Sequence, residues 1–286
     1  MSAAARNAGR RPRVAVVGHT EWVTHSLGPM PGPGRITHLT DPLDEPGGGG
    51  AVAAARAVAI GAECHLFTAL GVDDLGTRAR DVLESRGVVV HAAPRELQTR
   101  ALSAIDAHGD RAIAVVGERH HPVPGDELPW ALLRDMDAVY YTGRDDEVLR
   151  RCRACRILVV MARRWPVLAD AGVVCDVLVG SANDPEEIPP PGALSPLPLA
   201  TVSTDGARGG RLTTRAGAEW RWDAVHPPGP PLDSYGCGDS FAAGLTVALA
   251  HDRSLRDAVA LGARCGADAV THRGGLPPAQ RPSAAG

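Results

Sequence analysis

Seven short apolar runs, spaced along most of the chain, constrain the fold more than any other feature. They lie at residues 13–18, 64–71, 88–91, 138–143, 156–161, 173–180 and 199–204. Several end in Gly, and most are dense in Val, Leu or Ile. Runs of this length and composition read as strands buried on both faces. Ala-rich or amphipathic stretches stand between them: residues 51–60 before Gly61, and 77–85 before Gly87. Strands that alternate with helices predict a mainly parallel sheet. In such a sheet, ligands gather at the carboxyl ends of the strands. The chain has 286 residues, 44% of them hydrophobic, enough for a sizeable core. No internal repeat or second domain is visible, so residues 13–286 read as one α/β domain behind a floppy tail at 1–12. A strand at 35–40 and a hairpin at 99–117, turning at His108-Gly109-Asp110, predict a small β-lid from about 30–45 and 97–118.

Asp233-Ser234-Tyr235-Gly236-Cys237-Gly238-Asp239 runs straight into an apolar helical stretch at 241–250. Gly236 and Gly238 permit a tight turn and close approach to a ligand. A glycine turn at a helix start leaves backbone N–H groups free at the positive end of the helix dipole, which suits an anion. Asp239 stands in the mouth of that site, where a carboxylate can take a proton from a hydroxyl. The plain alternative is an ordinary helix-capping Asp. Gly47-Gly48-Gly49-Gly50 opens a second buried helix and reads as a ligand-facing turn rather than a linker. His19 and Glu21 follow the first strand at its carboxyl end and read as substrate contacts, with Trp22 a candidate stacking surface. Arg144 and Asp145 stand at the tip of the 138–143 strand.

All 30 basic residues are Arg. The absence of Lys excludes a P-loop and Schiff-base chemistry. A net charge of −3 gives no bulk attraction to nucleic acid or membrane, and an aromatic share of 3% argues against a single-strand stacking platform. No run approaches the ~18 apolar residues of a membrane span. The N-terminus lacks the apolar core of a signal peptide. Of the six cysteines only Cys152 and Cys155 are close, which reads as chance spacing in a reducing, cytoplasmic protein rather than as a zinc site.

The 233–239 segment resembles the C-terminal signature of the PfkB/ribokinase family of carbohydrate kinases, usually Asp-Thr-x-Gly-Ala-Gly-Asp. Ser234 stands for Thr and Cys237 for Ala. The resemblance extends over residues 13–276 and implies a ribokinase-like three-layer sandwich with a β-lid, through which it implies a homodimer. It implies Asp239 as catalytic base and the N–H groups of Gly236, Cys237 and Gly238 as an anion hole. Asn183 and Glu186 match the family's Asn-x-x-Glu, implying a role for Asn183 at ATP and for Glu186 at Mg2+ through water. Gly206-Ala207-Arg208-Gly209 matches Gly-x-x-Gly at the ATP phosphates, beside Thr204, with Arg208 supplying charge. Asp233 and Tyr235 map to a monovalent-cation loop, such as one for K+. His19, Glu21, Gly47, Gly48, Gly49 and Asp145, with Asp239, are the expected substrate contacts.

The sugar side departs from the family pattern. Val23 stands where a sugar-binding Asp is usual, and the family's Gly-Gly-Lys-Gly-Ala-Asn becomes Gly47 to Val52, without Lys or Asn. The expected activity is ATP- and Mg2+-dependent phosphorylation of an alcohol on a sugar or nucleoside. A catalytically silent ligand binder on the same fold is the alternative. A dinucleotide-binding oxidoreductase is not supported, because Gly18-His19-Thr20-Glu21 does not begin Gly-x-Gly-x-x-Gly.

Overall fold

The structure, a computed structural model, describes residues 10–106 and 111–278. The first part of the chain runs β1 (Arg13–Val17), β2 (Glu21–Leu27), β3 (Thr40–Gly47), α1 (Gly48–Ala59), β4 (Glu63–Gly71), α2 (Asp74–Ser85) and β5 (Val89–Arg95). It continues through β6 (Arg100–Ile105), β7 (Arg111–Val116), β8 (Ala138–Tyr141), α3 (Asp146–Cys152), β9 (Ile157–Met161) and α4 (Trp165–Ala171). The last part holds β10 (Val177–Ser181), β11 (Ala200–Thr204), β12 (Gly210–Thr214), β13 (Glu219–Trp222), α5 (Cys237–Ala250) and α6 (Leu255–Ala269).

The main sheet has the order β13-β12-β11-β10-β9-β8-β1-β4-β5. Pairing is parallel from β11 through to β5 and antiparallel across β11, β12 and β13. Strand alternation splits the core in two. Val14, Val16, Tyr140 and Val159 pack on one face with residues of α1 and α5, such as Ala54 and Leu245. Ala15, Val17, Val139 and Leu158 pack on the other with Leu149 of α3 and Leu168 of α4. Each fully buried Val or Leu contributes about 1.5–3 kcal/mol, so both faces are committed to the interior and the three layers follow. α5 and α6 cross closely because their contact is made of glycines. A methyl on Gly262 would lie 2.8 Å from Phe241 O, and one on Gly244 would lie 2.8 Å from Cys265 Sγ.

The segments expected to form a lid contribute to a second sheet, β3-β2-β6-β7. Two expectations about it are corrected. Residues 35–39 form no strand; β3 begins at Thr40 and leads directly into α1. β2 was not among the expected strands, because Glu21-Trp22-Val23-Thr24-His25-Ser26-Leu27 mixes polar and apolar residues without a clean period. Tertiary contacts pair it to β3 and β6 on both sides. Pro42 and Pro46 sit in β3, which is an edge strand, where a missing N–H costs no ladder bond. β6 and β7 pair antiparallel as the hairpin expected, and its turn at His108-Gly109-Asp110 lies outside the described residues. The floppy tail at 1–12 is also corrected in part. Residues 1–9 lie outside the described residues, but Arg10 Nη2 donates to both Asp137 oxygens at 2.9 and 2.7 Å. Among the described residues no helix is long and apolar enough to cross a membrane.

Candidate active site

The carboxyl ends of β1 and β8 converge on the starts of α1 and α5, and Asp239 lies where they meet. Gly236 caps α5 with φ +73, the left-handed region that favours glycine. The turn puts Asp239 in the first helical turn of α5. Tyr140 OH, from β8, donates to Asp239 Oδ1 at 3.2 Å. Burial pushes the Asp239 carboxyl up from 3.8 to about 6. The Tyr140 bond opposes this by favouring the ionised form, as do the Arg111 and Arg164 guanidiniums, while the nearby Glu187 charge adds to the rise. Burial holds the Tyr140 phenol well above its ordinary range, so it remains a donor.

The glycines that open α1 divide their roles. A methyl on Gly49 would come within 2.9 Å of Asp239 Oδ1 and 3.3 Å of Thr142 Oγ1. This is the close approach that only glycine allows. Gly47 backs onto Tyr235 OH and Val23, each 2.6 Å from a methyl placed there, so it packs the loop rather than facing the carboxylate. Gly48, with φ +83, donates its N–H to Tyr235 OH at 2.8 Å. Gly50 donates to His19 O at 3.0 Å.

On one side of Asp239 is a cavity of about 500 Å³. Thr204, Gly206 and Gly209 line it together with Cys237 and Gly238, so the two glycine turns expected at a nucleotide share one space. Its wall is apolar: Trp222, Val225, Phe241, Ala263 and Val270. Trp222 stacks on Trp220 and Phe241 with centroids 5.6 and 6.2 Å apart. Asn183 and Arg208 do not line this cavity. They bond one another and Asp205 at its rim: Asn183 Nδ2 donates to Asp205 Oδ1 (3.1 Å), and Arg208 Nη2 donates to Asp205 Oδ1 (2.6 Å) and Asn183 Oδ1 (3.2 Å).

Glu186 was expected at Mg2+ through water. Its side chain is 71% exposed, and its carboxylate pairs with Arg163 Nη1 at 2.5 Å. The next residue, Glu187, turns inward instead. Its Oε2 accepts from Ser181 N at 2.7 Å, and burial raises its carboxyl. Glu187 is the acid whose charge reaches Asp239 and Tyr140. Asp184, Glu186 and Glu187 all lean on Arg163. Among the described residues no group of three His, Cys, Asp or Glu could hold a metal. Mg2+ at phosphates needs only one or two carboxylates and water, so Glu187 fits such a role.

Asp233 and Tyr235 form a tie rather than an oxygen cage. Asp233 Oδ1 accepts from Tyr235 N (2.8 Å) and Oδ2 from Gly274 N (3.1 Å). The buried His25 ring fills the adjacent space, with Nδ1 3.8 Å from Asp233 and Nε2 3.6 Å from Glu45. A hard cation takes oxygen ligands; an imidazole beside the carboxylate does not fit the expected monovalent-cation site, and no step is drawn through one. Two further expectations change. Asp145 caps α3, its Oδ1 accepting from Val148 N at 2.9 Å. Trp22 is 5% exposed with the Arg78 guanidinium 4.4 Å above its ring, so it is core and not a stacking surface.

His19 and Glu21, the expected substrate contacts, lie against one another, Nε2 to Oε1 at 3.6 Å. Residues that sequence reasoning passed over join them. Arg119 Nε donates to Glu21 Oε1 at 2.5 Å, the His121 ring lies 5.0 Å from His19, and Arg164 Nε donates to Thr142 O at 3.1 Å. Arg164 follows the carboxyl end of β9, and the strand-end rule was the signal that could have found it. Tyr140 and Glu187 carried no such signal: one read as strand core, the other as a repeat of its neighbour.

Residues 198–281 match the family described as pfkB family carbohydrate kinase. Over 71 residues the chain is 39% identical to acarbose 7(IV)-phosphotransferase of Actinoplanes sp.. That match spans 24% of this chain and 24% of the relative. Ribokinase of Thermotoga maritima superposes with a TM-score of 0.74 at 18% identity, covering 93% of this chain and 96% of the other. Arabidopsis thaliana ribokinase complexed with ribose and ATP gives 0.72 at 17%, covering 94% and 96%. A microbiome-derived acarbose kinase gives 0.76 at 20%, covering 93% and 94%. At these identities the superpositions establish the fold, which is that of the ribokinases.

Proposed function

We propose that this chain, a ribokinase-fold protein with a pfkB-type segment at residues 198–281, transfers the γ-phosphoryl of ATP to an alcohol of a sugar or nucleoside. One observation carries the reading: a buried carboxyl raised to about 6, in the first turn of a glycine-capped helix, beside a 500 Å³ cavity. The cavity takes the base and ribose, its apolar walls matching a flat aromatic ring. Thr204, Gly206 and Gly209 approach the nucleotide, with Asn183 and Arg208 at its rim. The phosphates lie against the N–H groups of Gly236, Cys237 and Gly238 at the start of α5, where Cys237 N also reaches Ser234 O at 3.4 Å.

Asp239 accepts the proton of the acceptor hydroxyl as its oxygen attacks in line. A carboxyl near 6 is ionised at neutral pH yet basic enough to take that proton. Tyr140 holds the carboxylate in place. Gly49 leaves room for the acceptor beside it, with His19 and Glu21 further along the same wall. Glu187, with water and the phosphates, would hold Mg2+, which when bound neutralises charge on the transferring group. Exposed Ile113, Val115 and Val116 on the lid's edge strand β7 support pairing of two copies there. An ATP-using enzyme of this kind would work in the cytoplasm.

The test is ADP release with ATP, Mg2+ and a panel of sugars, sugar derivatives and nucleosides. Acceptor-dependent ADP is expected, and loss of it in Asp239→Asn with ATP binding retained. The rival, a silent binder, has one observation behind it: Val23 and Val52 pack together under Tyr235 instead of presenting polar groups. Binding of an acceptor with no ADP at any concentration would decide for it.

A further inference from the structure

The acceptor side of Asp239 carries more positive charge than its own carboxylates balance. Arg164 is 8% exposed and bonds a backbone carbonyl, Thr142 O, through Nε. Among the described residues no carboxylate lies within 4.0 Å of Arg164 or Arg144. Arg119 is already taken by Glu21. The two histidines between them do not help, since burial and the three guanidiniums keep His19 and His121 neutral. His121 is 8% exposed, and neither of its ring nitrogens has a partner; His19 Nδ1 has none either. Burial, together with repulsion from Arg144 and Arg119, lowers the Arg164 guanidinium to about 10. All three guanidiniums act on the same two histidines, and Glu21 pairs directly with only one of them, Arg119.

Leaving a buried cation without a counter-ion is costly. Guanidinium groups are the side chains best shaped to grip a carboxylate or phosphate with two parallel bonds. The position is also right for a substrate. Thr142, whose carbonyl anchors Arg164, presents Oγ1 3.3 Å from where a Gly49 methyl would sit, and that point is 2.9 Å from Asp239 Oδ1. A molecule with its hydroxyl at Asp239 therefore reaches Arg164 within the span of a few atoms. Val23 and Val52 leave no polar side chain at the positions where hydroxyl recognition was expected, so specificity must come from elsewhere.

We propose that the acceptor is an anion, a sugar acid or sugar phosphate, whose charged group binds between Arg144 and Arg164, with His121 and the Arg119–Glu21 pair forming the wall behind. This rests on the kinase reading for the hydroxyl at Asp239, but the anion site itself is testable without turnover. Calorimetric titration of the intact chain would compare matched pairs: gluconate with glucose, glycerate with glycerol, and ribose 5-phosphate with ribose. The anionic member of at least one pair is expected to bind about ten-fold tighter or better. The advantage should shrink as NaCl rises from about 0.05 to 0.5 M. The carboxylate pairs and the phosphate pair tell the two sources of charge apart.

Arg144→Gln, at an exposed position, should abolish the preference with Tm unchanged; Arg164→Gln should do the same at some cost in Tm. The proposal is overturned if neutral partners bind as tightly, if no anion binds, or if the preference survives both substitutions. It is also overturned if Arg164→Gln weakens ATP rather than the acceptor. A preferred anion that binds but yields no ADP with ATP and Mg2+ would sink the kinase reading and leave the anion site standing.

Discussion

The carboxyl of Asp239 is held near 6 with burial as the largest cause, and that displacement has two measurable consequences. The first is kinetic. If the ionised form is the base, kcat/KM rises with pH through about 6. Tyr140→Phe removes a donor that favours the ionised form, so the same limb should move to higher pH. A pH profile of the two proteins checks both the position and the direction. The second is thermodynamic. A carboxyl raised from 3.8 to about 6 in the folded state favours folding while protonated, and that advantage is lost as pH rises through 6. Asp239→Asn should therefore be nearly inactive yet more stable than the parent at pH 7–8, by up to about 3 kcal/mol. The gap should close below about pH 4. Equal urea midpoints at pH 8 would show that the carboxylate pays no burial penalty.

The start of α1 is the element on which the site is most exposed to damage. It has no side-chain cap, and three consecutive glycines bring its backbone against His19, Thr142 and Asp239. Gly49→Ala places a methyl 2.9 Å from Asp239 Oδ1. Either the carboxylate or the helix start must shift, so ADP release should fall at least about ten-fold, with a stability loss of about 1–3 kcal/mol from overpacking. Gly61→Ala at the far end of the same helix is a control for steric crowding: its φ is +98 but nothing lies within 4 Å of a methyl there. It should cost stability alone and leave KM and kcat near the parent values. At this scale the sequence was legible where an element's own composition decides it. β4 and α5 were expected close to where they lie. β2 was missed because its burial comes from β3 and β6 on either side, and its own residues alternate poorly.

At the scale of the molecule, Asp239 stands between the apolar cavity lined by Trp222 and Phe241 and the proposed anion site at Arg144 and Arg164. Ligands should therefore act on stability as well as on rate. ATP at about 100 times its Kd is expected to add about 2.7 kcal/mol to the unfolding free energy, visible as a rise in Tm. Trp222→Ala opens the cavity wall and should remove most of that rise while Arg144→Gln leaves it intact, since the two residues serve different ligands. Thermal scans with and without ATP make the comparison. An equal loss in both variants would contradict two separate sites.

The parallel sheet, the glycine turn into α5 and the position of Asp239 were already determined by the amino-acid order, because hydrophobic period and glycine placement act over a few residues. Charge pairing acts between elements that meet only after folding. Arg119 finds Glu21 across 98 positions, and Glu186 pairs with Arg163 at the surface while Glu187 turns in to Ser181 N. Tertiary structure alone decided which glutamate faces Asp239, and it alone left Arg144 and Arg164 without an acid. A short stretch of chain sets which backbone shape is cheap, but a charge has no partner until distant segments are packed beside it.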